Sequence, residues 1–261
     1  MIGQTEKRGI LLVAFGTSVA GASNAYDSLQ KQIQNLFPDV EIRRAYTSNF
    51  VRRKLKSEGI SILSPASALA GMADDGFTHV AVLSLHVIPG YEYHDLLMIA
   101  NAFRRVPKGI NSISVGGPLL NSHDDYVNVT KAIKDFSSGF LNSGDVLVLM
   151  GHGTSHSANI CYAGLQEYFR RLDDSILVGT IEAFPSVQDV IIQLKQRKAS
   201  RVWLMPFLTI AGDHVINDMA GDKPNSWKTL LESEGFEVMV NRTALAQIVP
   251  VVDVWLSKIS F

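Results

Sequence analysis

Apolar, β-branched runs alternate with helically spaced apolar residues along most of the chain. The run "GILLVAF", residues 9–15, is typical of a buried strand, and Tyr26, Leu29 and Ile33 then recur at helical spacing. The alternation continues to a last helix bearing Leu245 and Trp255, through the predicted strands "VEIRRAY", "THVAVLSL", "ISVGGP", "DVLVLMG", "SILVGTI", "SRVWLMPF" and "FEVMV". Near-continuous apolar strands separated by helices favour parallel sheets covered on both faces. The pattern therefore predicts an α/β fold.

The second half of the chain repeats features of the first. "LLVAFGTS" at residues 11–18 resembles "LVLMGHGTS" at 147–155, and the segment 79–97 lies over 201–219 with Gly90 on Gly212. Two matches in the same order indicate a duplication. We expect two similar doubly wound domains, residues 1–130 and 131–261, with the last helix free to pack across. The carboxyl ends of their strands, where open α/β sheets bind ligands, are expected to face each other across a cleft.

Composition narrows the functional classes. The 261 residues carry a formal net charge of −1, with 46% hydrophobic and 19% charged residues, so no electrostatic feature favours nucleic acid or an anionic membrane. The lone Cys161 excludes an internal disulfide and a cysteine-based zinc site. No apolar run approaches the ~20 residues of a membrane span, and the first residues lack the apolar core of a signal peptide. A cytoplasmic protein is expected, although an exported chain that has lost its leader would look the same.

Three side chains that suit a metal ion follow three strands of the second half. His152 comes after the first strand, Glu182 after the second, and His214 in the loop after the third. Because the carboxyl ends of parallel strands share one edge, these side chains can converge. Two imidazoles and a carboxylate suit divalent Co, Fe, Ni or Zn. The alternative is that each is a structural or solvated residue. His156 is expected at the surface or behind the ligands.

The first half has no equivalent set, since Phe15 stands where His152 does and Glu92 where His214 does. His86, Glu92 and His94 remain nearby. Glu92 is either a proton acceptor or a carboxylate that favours a helix N-terminus, and His94 is a candidate axial ligand for a haem-like molecule.

The basic segment "RRAYTSNFVRRKLK" supplies arginines for an anionic substrate. Arg44, Arg52 and Arg53 stand at or near the end of the second strand, and guanidinium groups pair well with carboxylates. The alternative is a solvated helix face. Templates for nucleotide-binding loops and hydrolase elbows are missing from the sequence, so neither function is expected.

Together, the segments "LLVAFGTS", "AYTSNFVRRKL", "HVIPGYEYHDL", "GHGTSH", "GTIEAFPS" and "MPFLTIAGDHVINDMAG" resemble the anaerobic cobalt chelatases, the sirohydrochlorin cobaltochelatases related to ferrochelatases. The resemblance covers nearly the whole chain. It implies two domains related by pseudo-twofold symmetry, with the macrocycle between them. It also implies that His152, Glu182 and His214 are the metal-site residues.

The resemblance implies insertion of Co²⁺ into sirohydrochlorin in anaerobic cobalamin biosynthesis, with Fe²⁺ or Ni²⁺ as other candidate metals and no organic cofactor. His152, His214 and Glu92 would share metal delivery and removal of the two pyrrole protons. Arg44, Arg52 or Arg53 would meet the acidic groups of the tetrapyrrole. The alternatives are iron insertion giving sirohaem and a non-catalytic tetrapyrrole or metal carrier. A homo-oligomer is compatible with the apolar C-terminal helix.

Overall fold

A computed structural model of the protein describes residues 6–261, which divide into two compact units. Unit 1 extends to Leu119 and also includes Trp255–Phe261, whereas unit 2 comprises Leu120–Val254. The division expected after residue 130 lies inside helix α5 (His123–Ser137), which belongs to unit 2.

Unit 1 is built on a four-stranded parallel sheet of order β2-β1-β3-β4. Its strands are β1 (Arg8–Ala14), β2 (Glu41–Tyr46), β3 (His79–Ser84) and β4 (Ser112–Val115), and its helices are α1 (Asn24–Leu36), α2 (Asn49–Ser57), α3 (Pro65–Asp74) and α4 (Tyr91–Phe103). Leu11 and Val13 pack with Leu69 of α3 and Leu96 of α4, while Ile10 and Leu12 on the opposite face are also buried. The sheet is therefore covered on both sides.

Unit 2 repeats this topology with the order β6-β5-β7-β8. Its strands are β5 (Val146–Gly151), β6 (Ile176–Thr180), β7 (Arg201–Pro206) and β8 (Glu237–Val240), and its helices after α5 are α6 (Ile160–Leu172), α7 (Val187–Gln196), α8 (Trp227–Ser233) and α9 (Val249–Leu256). The chain passes back to unit 1 within α9. Two equivalent parallel sheets confirm the predicted α/β fold of two similar units.

The strand register of unit 2 brings three loops to one edge of the sheet. Gly151 pairs with Thr180, and Met150 pairs with both Gly179 and Pro206. The chain after each of β5, β6 and β7 therefore leaves the sheet at nearly the same level. This shared edge carries the three residues that the sequence predicts as metal ligands.

The sequence pattern missed two helices and merged two elements at the end of unit 2. Helices α3 and α8 were not predicted, and α2 was considered only as the alternative interpretation of the basic segment. The predicted last helix is wrong at its start, because Leu245–Gln247 forms a 3₁₀ turn and α9 begins only at Val249. The following Pro250 fits the first turn of a helix but not its interior, so a new helix starts beside it. Across residues 6–261, every helix is too short or too polar to cross a bilayer.

Candidate metal site of unit 2

His152 is delivered by a buried strand into a tightly packed turn. All six residues of β5 are buried, and a Cβ atom on Gly151 would lie 2.4 Å from the ring of Tyr162. Tyr162 is itself buried beneath the loop. Burial raises the pKa of its hydroxyl to about 12, and hydrogen bonds from the backbone of Gly153 and His152 act in the opposite direction. The phenol therefore supports the backbone that carries the imidazole.

The His152 imidazole contacts both of the other predicted ligands. Its Nδ1 lies 3.6 Å from Glu182 Oε2 and 2.9 Å from the Gly153 carbonyl oxygen. Its ring centroid is 4.7 Å from that of His214, with the rings nearly perpendicular at 87°. The three side chains remain 41%, 55% and 38% exposed for His152, Glu182 and His214, so a ligand can reach them.

The backbone of the β6 loop holds Glu182 beside His152. The Glu182 N–H donates to the His152 carbonyl at 2.9 Å, and the Ile181 N–H donates to Gly151 at 3.1 Å. Gly153 has φ +82°, and a Cβ there would lie 2.9 Å from the Ala183 nitrogen. The two loops therefore pack closely only because residue 153 lacks a side chain.

His214 has a carboxylate partner that the sequence analysis did not identify. His214 stands before a five-residue π-helical turn, Val215–Met219, a form of helix that often occurs at functional sites. Within that turn, Asp218 Oδ2 lies 2.6 Å from His214 Nδ1. A carboxylate on one imidazole nitrogen fixes the ring and raises the basicity of the other nitrogen, as in many metal sites. The His-x₃-Asp spacing in "HVIND" was the available sequence signal.

Asp218→Asn should weaken Co²⁺ binding about 10- to 100-fold, the usual effect of removing an outer-shell partner of a metal-binding histidine. The substitution keeps the shape of the side chain but removes the negative charge beside Nδ1. Titration with Co²⁺, followed by its visible absorption, measures the change. Asp213→Asn is the matched control, because Asp213 bonds Asn217 at the surface instead of His214. Equal affinity of Asp218→Asn and wild type would contradict the assignment.

The three predicted ligands do not yet surround a common point. Within residues 6–261, no group of three or more histidine, cysteine, aspartate and glutamate side chains is arranged to hold a metal ion. His156 lies further along the same loop, where its Nδ1 accepts from the Ala158 N–H at 3.0 Å. It therefore caps the 3₁₀ turn Ser157–Asn159.

The three predicted arginines of unit 1 differ in the hydrogen bonds that they form within that unit. Arg44 bonds Asp27 at 2.7 Å and Gln30 at 2.9 Å on α1. Arg52 donates to the carbonyls of Tyr46 and Thr47 at 2.6 and 2.7 Å and to the side chain of Asn49. Arg53 is exposed.

The other predicted residues of unit 1 lie on or near α4. Glu92 is half-buried in the first turn of α4, and His94 is exposed on the same helix. Burial lowers the pKa of Arg52, and nearby Glu92 counteracts this effect, so the two charges interact. Phe15 is 48% exposed at the position equivalent to His152, which leaves an apolar surface there.

His86 is a half-buried histidine just after β3, and its imidazole is neutral at pH 7. Its Nδ1 lies 2.8 Å from Ser84 Oγ, and its Nε2 is buried with no hydrogen-bond partner in the described structure. Its carbonyl accepts from the Leu119 N–H at 2.9 Å and from Trp255 Nε1 at 3.4 Å. Burial lowers the pKa of His86 to about 4. Protonation of this ring is therefore linked to unfolding.

Acidification below pH 6.5 should destabilise unit 1 through His86. An unfolded histidine gains a proton near pH 6.5, whereas His86 in the fold gains it only near pH 4, so the unfolded state binds more protons between these values. From pH 6.5 to 5, this costs about 2 kcal/mol of unfolding free energy. In chemical denaturation at pH 7 and 5, His86→Asn should lose less stability than wild type by that amount. Equal losses would contradict the linkage.

Comparisons with known proteins agree with this architecture. A family described as cobalt chelatase (CbiK) matches residues 8–260. The chain is 35% identical over 254 residues to the sirohydrochlorin cobaltochelatase CbiKC of Nitratidesulfovibrio vulgaris, covering 97% of this chain and 90% of the relative. It is also 35% identical over 231 residues to the sirohydrochlorin cobaltochelatase of Salmonella typhimurium, covering 88% and 86%.

A solved structure shares the fold at lower sequence identity. The structure of SirB from Bacillus subtilis with Fe³⁺ matches with a TM-score of 0.66 and 14% identity, covering 97% of this chain and 94% of that one. At this identity the match supports the fold alone.

Proposed function

Since this chain belongs to the cobalt chelatase (CbiK) family, we propose that the side chains at the carboxyl edge of the second sheet perform the family's reaction. The resemblance predicted from sequence is confirmed, and so is the predicted enzyme class. The enzyme inserts a divalent metal, Co²⁺, into sirohydrochlorin. The observation that carries the site assignment is that His152 contacts both Glu182 and His214.

In this proposal, three side chains bind the metal ion and deliver it to the macrocycle: His152, Glu182 and His214. A hydrated ion must lose water before pyrrole nitrogens can bind it, and imidazole and carboxylate ligands replace that water. The partial exposure of the three side chains supports open coordination positions, which a reactive metal site needs.

Two protons must leave the macrocycle for each metal ion that enters, so the metal replaces two N–H protons with no electron transferred. A neutral imidazole can accept one of these protons. His152 and His214 would divide the tasks, since one imidazole nitrogen cannot bind the metal and a proton together. Asp218 fixes the orientation of the His214 ring through the 2.6 Å contact with its Nδ1. Glu92 of unit 1 is the proposed second acceptor.

The acidic groups of the substrate are assigned to arginines of unit 1. Arg53 is the proposed main contact among the three, because its exposed side chain is accessible to a carboxylate. Arg52 has already donated to backbone carbonyls, and Arg44 is held by Asp27 and Gln30. Arg44 and Arg52 would therefore contribute mainly positive potential.

Cobalt is the proposed physiological metal, with Fe²⁺ and Ni²⁺ as the alternatives. The ligand types suit all three, so supply as well as site chemistry sets the choice. We propose no organic cofactor, because metal–proton exchange needs neither redox nor group transfer. Haem at His94 stays a prediction. This residue is exposed on α4, and its ring centroid lies 6.2 Å from that of Tyr93 in an edge-on arrangement.

The expectations about cellular location, binding partners and oligomeric state also stay predictions. A cytoplasmic location rests on the sequence features alone, and no observation favours nucleic acid or a membrane as partner. A homo-oligomer remains a hypothesis based on the apolar last helix.

The test is an anaerobic absorbance time course with catalytic amounts of enzyme, sirohydrochlorin, and either Co²⁺ or Fe²⁺. Many turnovers with Co²⁺, faster than with Fe²⁺, are expected. Faster turnover with Fe²⁺ would favour the sirohaem alternative. A spectral change that stops at one equivalent of protein would identify a tetrapyrrole carrier and overturn the enzymatic proposal.

A further inference from the structure

The side chain of Asn159 forms hydrogen bonds with two loops instead of capping the helix that follows it. It occupies the N-cap position of α6, where asparagine usually accepts a hydrogen bond from the first turn, yet it makes no such bond. Its Oδ1 instead accepts from the Thr154 N–H at 3.1 Å, and its Nδ2 donates to the Phe184 carbonyl at 2.6 Å. One amide thus bridges the loops that follow β5 and β6.

Each backbone group that Asn159 bonds lies two residues after a proposed metal ligand. Thr154 lies two residues after His152, and Phe184 lies two residues after Glu182. The two loops are also joined at the candidate ligands themselves, because the Glu182 N–H donates to the His152 carbonyl. Two sets of hydrogen bonds between the loops therefore hold His152 Nδ1 and Glu182 Oε2 at their distance of 3.6 Å.

We infer that Asn159 is a positioning residue that fixes Glu182 relative to His152 for metal binding. The inference rests on the metal site proposed above. An amide is the suitable group, because the bridge needs an acceptor for one N–H and a donor for one carbonyl. Aspartate keeps the acceptor and the shape but puts a second acceptor against Phe184, so it breaks one bond and leaves the other.

Two substitutions test this role. Asn159→Asp and Asn159→Ala should each weaken Co²⁺ binding about 10- to 100-fold, as lost outer-shell contacts do. The aspartate result is the sharper one, because an added negative charge would by itself attract the cation. Isothermal titration with Co²⁺ alone measures the affinity, and the visible bands of bound Co²⁺ report a changed ligand geometry.

Gln166 supplies a matched control on the same helix. Its side-chain amide also bridges α6 to β6, since Nε2 donates to the Ile176 carbonyl at 3.0 Å and Oε1 accepts from the Val178 N–H at 2.7 Å. Those contacts lie within the strand, away from the ligand loops. Gln166→Glu and Gln166→Ala should lower the unfolding temperature but leave Co²⁺ affinity and the visible bands unchanged.

A double-mutant cycle shows whether Asn159 acts through Glu182. In a Glu182→Gln background, Asn159→Asp should reduce Co²⁺ affinity by less than twofold, because the side chain that it positions no longer contributes a charge. Full additivity, or an affinity loss matched by Gln166→Glu, would overturn the inference. Turnover of sirohydrochlorin by the wild-type enzyme is measured in a separate experiment, so that the two proposals can be distinguished. Absent turnover with intact Co²⁺ binding refutes the enzymatic proposal alone, whereas absent binding by wild type refutes both.

Discussion

Replacing His152 by alanine is expected to reduce cobalt insertion to near the uncatalysed rate. His152 is the one predicted ligand in contact with both others, at 3.6 Å from Glu182 and with its ring centred 4.7 Å from that of His214. Loss of a direct ligand should exceed the effect of losing an outer-shell group, so Co²⁺ affinity should fall more than about 100-fold. Initial rates with saturating sirohydrochlorin and a Co²⁺ titration measure the two effects.

His156→Ala is the control for this substitution. It removes an imidazole from the same loop, but one whose Nδ1 accepts from the Ala158 N–H. Its affinity for Co²⁺ and its rate should stay within about twofold of wild type, while its stability falls by about 1 kcal/mol through loss of the cap. If both alanine variants lost activity equally, loop disruption would explain the result and His152 would lose its assigned role.

Gly153→Ala is expected to damage both the fold of unit 2 and its metal site. A side chain at φ +82° costs about 1–2 kcal/mol, and forcing a Cβ to within 2.9 Å of Ala183 and Thr180 costs about 1–3 kcal/mol more. The clash also pushes the β6 loop, and with it Glu182, away from His152. Chemical denaturation should show a loss of about 2–5 kcal/mol, and Co²⁺ titration a weaker site.

Gly144→Ala separates backbone strain from the clash. Gly144 also lies in unit 2 and has φ +88°, but nothing lies within 4 Å of a Cβ built there. It should show the strain alone, about 1–2 kcal/mol, with unchanged Co²⁺ affinity. Equal losses of stability for the two variants would show that the packing of Gly153 against the β6 loop carries no energy.

The sheets could be predicted because burial on both faces leaves a strong trace in the sequence. Leu147, Val148 and Leu149 are adjacent and all fully buried, as a parallel strand between two helix layers requires. Short helices leave a weaker trace. Helix α2 buries only Val51 and Leu55, and such a pair does not establish a helical period.

That the three candidate ligands lie close together was predictable for a topological reason, whereas the contacts that support them were not. His152, Glu182 and His214 each follow a strand, and strand ends share an edge whatever the details of the loops. Asp218 reaches His214 within a π-helical turn that no apolar pattern indicates. Asn159 precedes α6, so from sequence alone it is indistinguishable from an ordinary cap. Such contacts depend on loop backbone, which periodicity does not describe.

The division of the chain has a consequence for biosynthesis. Unit 2 is one continuous stretch, Leu120–Val254, whereas unit 1 is completed only by Trp255–Phe261. That segment places Trp255 on the His86 carbonyl and Lys258 on the Pro118 carbonyl. Domains usually fold in order as they leave the ribosome, the N-terminal one first. Here the sheet that is translated first gains its last contacts only after all of unit 2 has been translated, so a chain truncated before residue 255 would contain every residue of unit 2 but an incomplete unit 1.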